Sequence, residues 1–307
     1  SLALMLVALG INFALQDNLF ELRVMNNTLR TLLPLIILAV GQTIVIVGGG
    51  LDLSVGTMVS MQVAILVTLI TPESTALEIA GAVIVACGAG VLAGALNGFA
   101  VAYLRLQPIV TTYASSFIFS GIALLLLPRP GGAIPTELRR AYREMPLNLP
   151  LGFYIIAGLI LFWVLLRTTR YAQFLYATGS SGEAAYTTGI PVRLVRFSTY
   201  LWSGVFAALS AAALTFSSGS GQANIGDDMT LDSIVAVVLG GTRLSGGQGG
   251  IVGTIIGVVI LRVIRNIIFF ADVPTWSQTL VNAVIIIVAL AAPGLIRLVR
   301  RRVQQWT

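Results

Sequence analysis

An all-helical protein that crosses a membrane many times is the architecture written into these 307 residues. Three properties lead there. Apolar residues make up 57% of the chain and charged residues only 10%, where soluble domains run near 45–50% and about 25%. Mean hydropathy is +0.94. The apolar residues also gather into runs approaching the ~20 residues that a bilayer-crossing helix needs.

In chain order the runs lie near 2–16, 32–47, 55–71, 77–104, 109–127, 151–166, 198–217, 233–241, 251–270 and 278–296. The first has neither a basic start nor a small-residue cleavage pattern, so it reads as a span rather than a cleaved signal. The run at 77–104 carries small residues, Gly94 and Gly98 among them, which suit close helix packing. The loop at 128–150 holds five prolines and mixed charge, the composition of an external cap with a short surface helix. The run at 233–241 is half a span and is followed by a glycine-rich stretch. About ten spans would use roughly 200 residues, leaving short connections within one polytopic domain over 1–307.

The charged residues narrow the chemistry. All 18 basic residues are Arg, with no Lys and no His. A phosphate loop of the GxxxxGK[ST] type needs its Lys. His-based triads, bases and metal sites need an imidazole. The single Cys, Cys87, makes neither a disulfide within the chain nor a thiolate cluster.

Position tells more than number. With both termini in the cytoplasm, the inner loops hold Arg105, Arg167, Arg170, Arg193, Arg196, Arg243, Arg297, Arg300, Arg301 and Arg302. The outer loops hold Arg23, Arg30, Arg129, Arg139, Arg140 and Arg143. That excess is what the positive-inside rule expects, and the net charge of +6 reads as membrane orientation rather than nucleic-acid binding. Glu73, Glu78, Asp227, Asp228, Asp232 and Asp272 fall outside in the same scheme, and Glu183 falls inside.

Two segments break helical sequence at membrane depth. The first, VIVGGGLDLSVGT at 45–57, places Gly48, Gly49 and Gly50 in a row, each about 1 kcal/mol poorer than Ala in a helix. Such backbone survives in a membrane only where protein or a wet cavity satisfies it. Asp52 follows, with Ser54 and Gly56. It reads either as a cap for the helix resuming there or as a group lining or gating a path. The second, VVLGGTRLSGGQGGIVGT at 237–254, contains Gly240, Gly241, Thr242, Gly246 and Gly247. Each break follows a β-branched run and carries Gly-Gly, then Leu-Ser soon after. Paired interruptions of this kind point to a transporter pathway, and close packing through small residues is the competing reading.

The longest inner loop, 167–197, contains GSSGEAAYTTGIP. Ser181 suits an N-cap, Glu183 the first turn, and Gly189 a stop ahead of Pro191. A helix of two turns does not stand alone in water, so it must pack on something. A plain surface connector is the alternative.

These residues resemble a known family. GGGLDLSVG at 48–56 looks like the GG-I-D-L-S-V-G segment of permease subunits of bacterial ATP-binding-cassette importers of the ribose/galactose/xylose type, with Leu51 in place of Ile. Residues 231–254 look like the second motif of that family, with Ser233 and Val235 in place of two Ala. Gly182, Glu183, Ala184, Ala185 and Gly189, with Ile190 beside them, match its E-A-A-x-x-x-G loop, through which such permeases meet their ATPase. The resemblance covers nearly the whole chain. It implies a permease dimer, homo- or heteromeric, around one path, two cytoplasmic ATP-binding subunits and a periplasmic solute-binding protein, all in a bacterial inner membrane. It implies no cofactor on this chain, with ATP and Mg on the partner ATPase, and contact with membrane lipid but not with nucleic acid. The glycines of both breaks, with Asp52, Ser54 and Thr242, are then expected near the path, and 167–197 is the coupling loop.

A monosaccharide is the expected cargo, with a nucleoside or branched-chain amino acid as the alternative on the same plan. An ion-coupled secondary carrier would need acids inside its spans, and only Asp52 offers one. A membrane enzyme lacks the residues for its chemistry.

Overall fold

The computed structural model describes residues 21–270, together with Ser277, Leu280, Val284 and Ile287. The expected span at 2–16, most of that at 278–296, Asp272 and the C-terminal arginines lie outside the described residues. Those described form eleven α-helices, with no strand among them. They are α1 Leu22–Val47, α2 Val55–Leu69, α3 Ala76–Ala102, α4 Pro108–Leu126, α5 Thr136–Ala141, α6 Leu151–Arg167, α7 Arg170–Ser180, α8 Gly182–Thr187, α9 Val192–Ser218, α10 Met229–Leu239 and α11 Ile251–Phe270.

Helix α1 is the central post. Leu33, Ile37, Val40 and Ile44, at helical spacing, pack with Trp163 of α6 and Phe206 of α9. Leu32, Ile36 and Ala39 pack instead with Ala236 and Val237 of α10 and Val258 and Leu261 of α11. An apolar helix packed on two adjoining faces belongs inside a bundle rather than at its edge. Helix α2 is nearly all buried. Helices α3 and α4 carry exposed apolar side chains such as Ile84, Leu92, Phe117 and Leu125, as a lipid-facing surface requires.

Small residues set the closest approach. A methyl group on Gly90, Gly94 or Gly98 of α3 would run into α9 backbone at Gly204, Tyr200 or Phe197. This one stripe lets the two helices meet along their length. Helix α3 starts in a capping box between Thr75 and Glu78, two orphan donors satisfied reciprocally.

Length decides which helices cross. Among the described residues α1, α3, α4 and α9 are long and apolar enough to span a membrane. Counting residues 136–148 with α6, a pair bent by 82°, makes five. The expected ten spans are therefore not reached among the described residues. Two of the expected ten lie outside the described residues, and two more are short: α2 has 15 residues and α10 has 11, roughly 22 and 16 Å against a core of about 30 Å.

Helices α10 and α11 run antiparallel. Gly240 packs on Gly253, Gly257 on Ala236, and Asp232 holds Arg265 at 2.6 Å. The two helices thus form an antiparallel hairpin, a short arm of 11 residues packed on a longer one of 20.

The ends of the bundle separate by residue. The 128–150 segment contains α5 as the short helix expected there. It bridges to the α9–α10 loop through paired backbone bonds of Gly131 and Gly221, and Asn26 donates to the Arg143 carbonyl. Arg105, Arg193 and Arg196 gather at the opposite end. Arg139 and Arg143, assigned to an outer loop, thus lie at one end, and Arg105, Arg193 and Arg196, assigned to inner loops, at the other.

Candidate functional site

Three Schellman motifs terminate helices at the segments singled out by sequence. At the end of α1, Gly50 N donates to Val45 O and Gly49 N to Ile46 O, with Gly49 left-handed at φ +81°. At the end of α10, Thr242 N donates to Val237 O and Gly241 N to Val238 O, with Gly241 at φ +93°. At the end of α8, Ile190 N donates to Ala185 O and Gly189 N to Tyr186 O, with Gly189 at φ +84°. Each motif needs a residue with φ above zero, which glycine adopts without penalty. Thus Gly48 to Gly50 and Gly240 to Thr242 occupy equivalent places at the two breaks.

The Schellman bonds leave the last carbonyl of α1, that of Val47, without an intrahelical partner. Gly247 N of the second break donates to it at 2.9 Å. Gly179 of α7 sits in the same junction. A methyl group there would strike the Val47 carbonyl and come to 2.6 Å from Gly247 N. Gly246 lies against Gly49 and the Gly179 carbonyl, and Gly247 against Ser180. Backbone thus meets backbone at a three-way crossing, with no room for a side chain.

Helix α7 adds a second bond to the same break. Tyr176 Oη donates to Gly249 O at 2.6 Å. Burial raises the Tyr176 phenol above its ordinary value, with the Arg167 charge opposing, so the proton for that bond stays in place. Thr43 of α1 and Thr254 of α11 share a further hydrogen bond at 2.7 Å.

Asp52 is completely buried. Its Oδ1 accepts from Ser54 N at 2.9 Å and Ser54 Oγ at 2.6 Å, and its Oδ2 from Ser203 Oγ of α9 at 2.8 Å. Asn97 Nδ2 of α3 donates to Ser54 Oγ at 2.8 Å, and Gln42 Nε2 of α1 donates to Asp52 O at 3.2 Å. The reading of Asp52 as a helix cap is corrected. The N-cap of α2 is Ser54, whose side chain makes no cap bond. A capping carboxylate accepts from the second or third residue inside the helix, whereas Asp52 accepts from the N-cap residue itself. It is instead the centre of a polar cluster joining α1, α3, α9 and the first break. Beyond it, Gly56 N donates to Thr230 Oγ1 at 3.0 Å, so the starts of the two short helices α2 and α10 touch.

Gln42, Asn97, Ser203 and Thr112 were not singled out from sequence, though Leu53 N donates to Thr112 Oγ1 at 2.9 Å. The signal was present: Gln42 and Asn97 are amides inside long apolar runs, where such groups are costly.

The loop helix forms as expected. Ser181 caps α8 by accepting from Ala184 N at 3.3 Å. Ala185 is buried, while Glu183, Ala184 and Tyr186 are exposed. The preceding helix α7, within the same loop, was not anticipated. A cavity of about 640 Å³ joins the regions, lined by Gly49 and Gly50 of the first break, Gly182, Glu183 and Tyr186 of α8, and Arg196, Thr199 and Tyr200 of α9. Gly49, Gly179, Gly246 and Gly247 are therefore brought together, with Gly182 and Glu183 across the cavity. Gly56 is set apart, against Gly226. Among the described residues no group of three or more His, Cys, Asp or Glu could hold a metal ion.

The chain is similar to known permeases over most of its length. The profile of a family described as branched-chain amino acid transport system / permease component matches residues 24–290. The ribose import permease protein of Escherichia coli K12 is 33% identical over 296 residues, 94% of this chain and 91% of the relative. The galactose/methyl galactoside import permease protein of the same strain is 30% identical over 309 residues, 95% and 92%. The autoinducer 2 import system permease protein of Photorhabdus temperata is 28% identical over 279 residues, 88% and 82%. No solved structure matches the chain.

Proposed function

The chain belongs to the branched-chain amino acid transport system / permease component family, a multi-pass membrane protein, and from that premise we propose that it is the membrane subunit of an ATP-driven importer of a monosaccharide. Its relatives carry ribose and galactose in their names, which supports a sugar as cargo. In this reading a second permease subunit completes the path. Two ATP-binding subunits dock on the cytoplasmic end around α8, and a periplasmic binding protein delivers solute to the other end. The location is a bacterial inner membrane with both termini in the cytoplasm. ATP and Mg stay with the partner, and this chain carries no catalytic residue.

The carrying observation is the shared junction. Helix α7 leads directly into α8, and its Gly179 is wedged between Val47 of the first break and Gly247 of the second. A push on α8 therefore reaches both breaks through rigid backbone rather than through flexible side chains. Alternating access needs two states that a ligand binds unequally, and ATP closing the partner subunits supplies that bias. The glycine-lined breaks and Asp52 line or gate the path. The Asp52 carboxylate, held by serines, keeps the first break in one conformation.

The test is uptake into proteoliposomes holding this chain, its ATPase and its binding protein. Labelled ribose, galactose and leucine are offered separately with internal or external ATP. ATP-dependent uptake of one sugar supports the proposal. Uptake of leucine alone would favour the branched-chain amino acid alternative, and uptake driven by an ion gradient without ATP would overturn both.

A further inference from the structure

The cavity at the arginine-rich end contains more charge than the junction needs. Arg105, Arg193 and Arg196 line it against a single acid, Glu183. None of the three is ion-paired, since the one salt bridge among the described residues is Arg265–Asp232. Arg196 Nε is buried with no hydrogen-bond partner. An unmatched cluster of guanidinium groups in a concave site is a ready receptor for a phosphate, because each presents a fork of donors fitted to its oxygens.

A second feature says which phosphate. An apolar groove of about 400 Å³ adjoins the cavity and shares Leu106 and Gln107 with it. It continues along Leu96 of α3 and Val110 and Ile118 of α4, whose side chains are 48%, 61% and 53% exposed. Both helices are long and apolar enough to cross a membrane, so the 103–107 turn between them lies at the membrane surface. Tyr103, partly exposed in that turn, is the amphipathic ring favoured at such an interface.

We propose that this composite site binds an anionic phospholipid, its phosphate on Arg105, Arg193 and Arg196 and one acyl chain along the Leu96–Val110–Ile118 groove. A free phosphate would use the arginines but leave the groove empty, and a zwitterionic lipid would fill the groove but lack net charge for the arginines. Basic pockets between membrane helices favour anionic headgroups for this reason. The lipid would lie beside Gly182 and Glu183, where its presence bears on how α8 sits. The proposal concerns binding and does not depend on what the chain transports.

Native mass spectrometry of the full chain released from detergent tests it, with phosphatidylglycerol, phosphatidylcholine and glycerol 1-phosphate as probes. Phosphatidylglycerol is expected to be retained over the other two. Arg105→Gly and Arg193→Gln are each expected to weaken that retention about fivefold. Arg105 has φ +58°, which glycine takes freely, so Arg105→Gly removes charge without straining the turn. Val110→Asn should weaken both lipids alike. Equal retention of the two lipids, retention unaffected by the arginine changes, or glycerol 1-phosphate bound as well as phosphatidylglycerol would each overturn the assignment. So would disulfide crosslinking of Val110→Cys between two copies, which would give the groove to a second chain.

Discussion

The amide of Gly247 donates to the carbonyl of Val47 across 2.9 Å, so the second break supplies the hydrogen bond that the last residue of α1 lacks. An orphan carbonyl at a buried helix end must find a partner. Here that partner comes from 200 residues further along the chain and from the corresponding element of the other broken pair. Neither break is complete alone, and each fixes the other's backbone. Gly179 closes the junction from the side of α8, which is why the loop helix and both breaks read as one mechanical unit.

Substituting Gly179 tests that junction. Gly179→Ala puts a methyl group into the Val47 carbonyl and beside Gly247 N, and the overpacking should cost about 1–3 kcal/mol. Gly241→Ala meets nothing within 4 Å and suffers only from φ +93°, so about 1–2 kcal/mol is expected. Thermal unfolding of the two variants in detergent checks the order. Uptake should fall with Gly179→Ala even at temperatures where the fold persists.

The Asp52 cluster predicts a graded series. Asp52→Ala strips acceptors from Ser54 N, Ser54 Oγ and Ser203 Oγ, and each buried donor left unpaired costs about 1–3 kcal/mol. Ser203→Ala removes one donor and should cost about 1 kcal/mol. Asp52→Asn keeps the shape and one acceptor, and belongs between them. Denaturation midpoints in detergent read the order, and equal midpoints for Asp52→Ala and wild type would remove the cluster from the account.

Coupling is tested at α8. Glu183→Arg adds a fourth cation to a cavity that already holds three and changes an exposed side chain on the face proposed to meet the ATPase. Uptake should drop by about 5- to 150-fold, the usual span of a coupling energy, while membrane abundance and unfolding temperature stay unchanged. Uptake at the normal rate would detach α8 from the coupling role.

The α10–α11 hairpin is tested at its open end. Arg265 grips both oxygens of Asp232, at 2.6 and 2.7 Å, with side-chain exposures of 43% and 14%. A double-mutant cycle on Asp232→Asn and Arg265→Gln should show a coupling of about 1 kcal/mol, discounted for solvent reaching the arginine. A coupling of zero would mean the arms are not held together there.

Much of this was legible in the sequence because hydropathy is a local property. The runs at 32–47, 77–104, 109–127 and 151–166 end within a few residues of α1, α3, α4 and α6, and the half-span at 233–241 is α10. Gly189 announced the end of α8 because its left-handed turn suits glycine. What stayed hidden is what depends on distant partners. Gly179 stands in a Gly-Ser-Ser-Gly stretch that carries no local sign of a junction, since only the fold brings Val47 and Gly247 against it. Helix α7 mixes Arg, Thr, Tyr and Gly without a long apolar run, and its order comes from packing Ala172 and Leu175 inward. Asp52 resembled a cap because its neighbours in sequence suit one, while Ser203 and Asn97, which define its role, arrive from α9 and α3.

The central claim is that this chain moves solute and draws its energy from a partner through α8. The direct measurement compares ATP hydrolysis and sugar uptake in proteoliposomes holding the chain alone, the chain with its ATPase and binding protein, and that assembly carrying Glu183→Arg. The account predicts no hydrolysis and no uptake by the chain alone, both in the assembly, and hydrolysis uncoupled from uptake with Glu183→Arg. Hydrolysis by the purified chain alone, or full uptake in the variant, would contradict it.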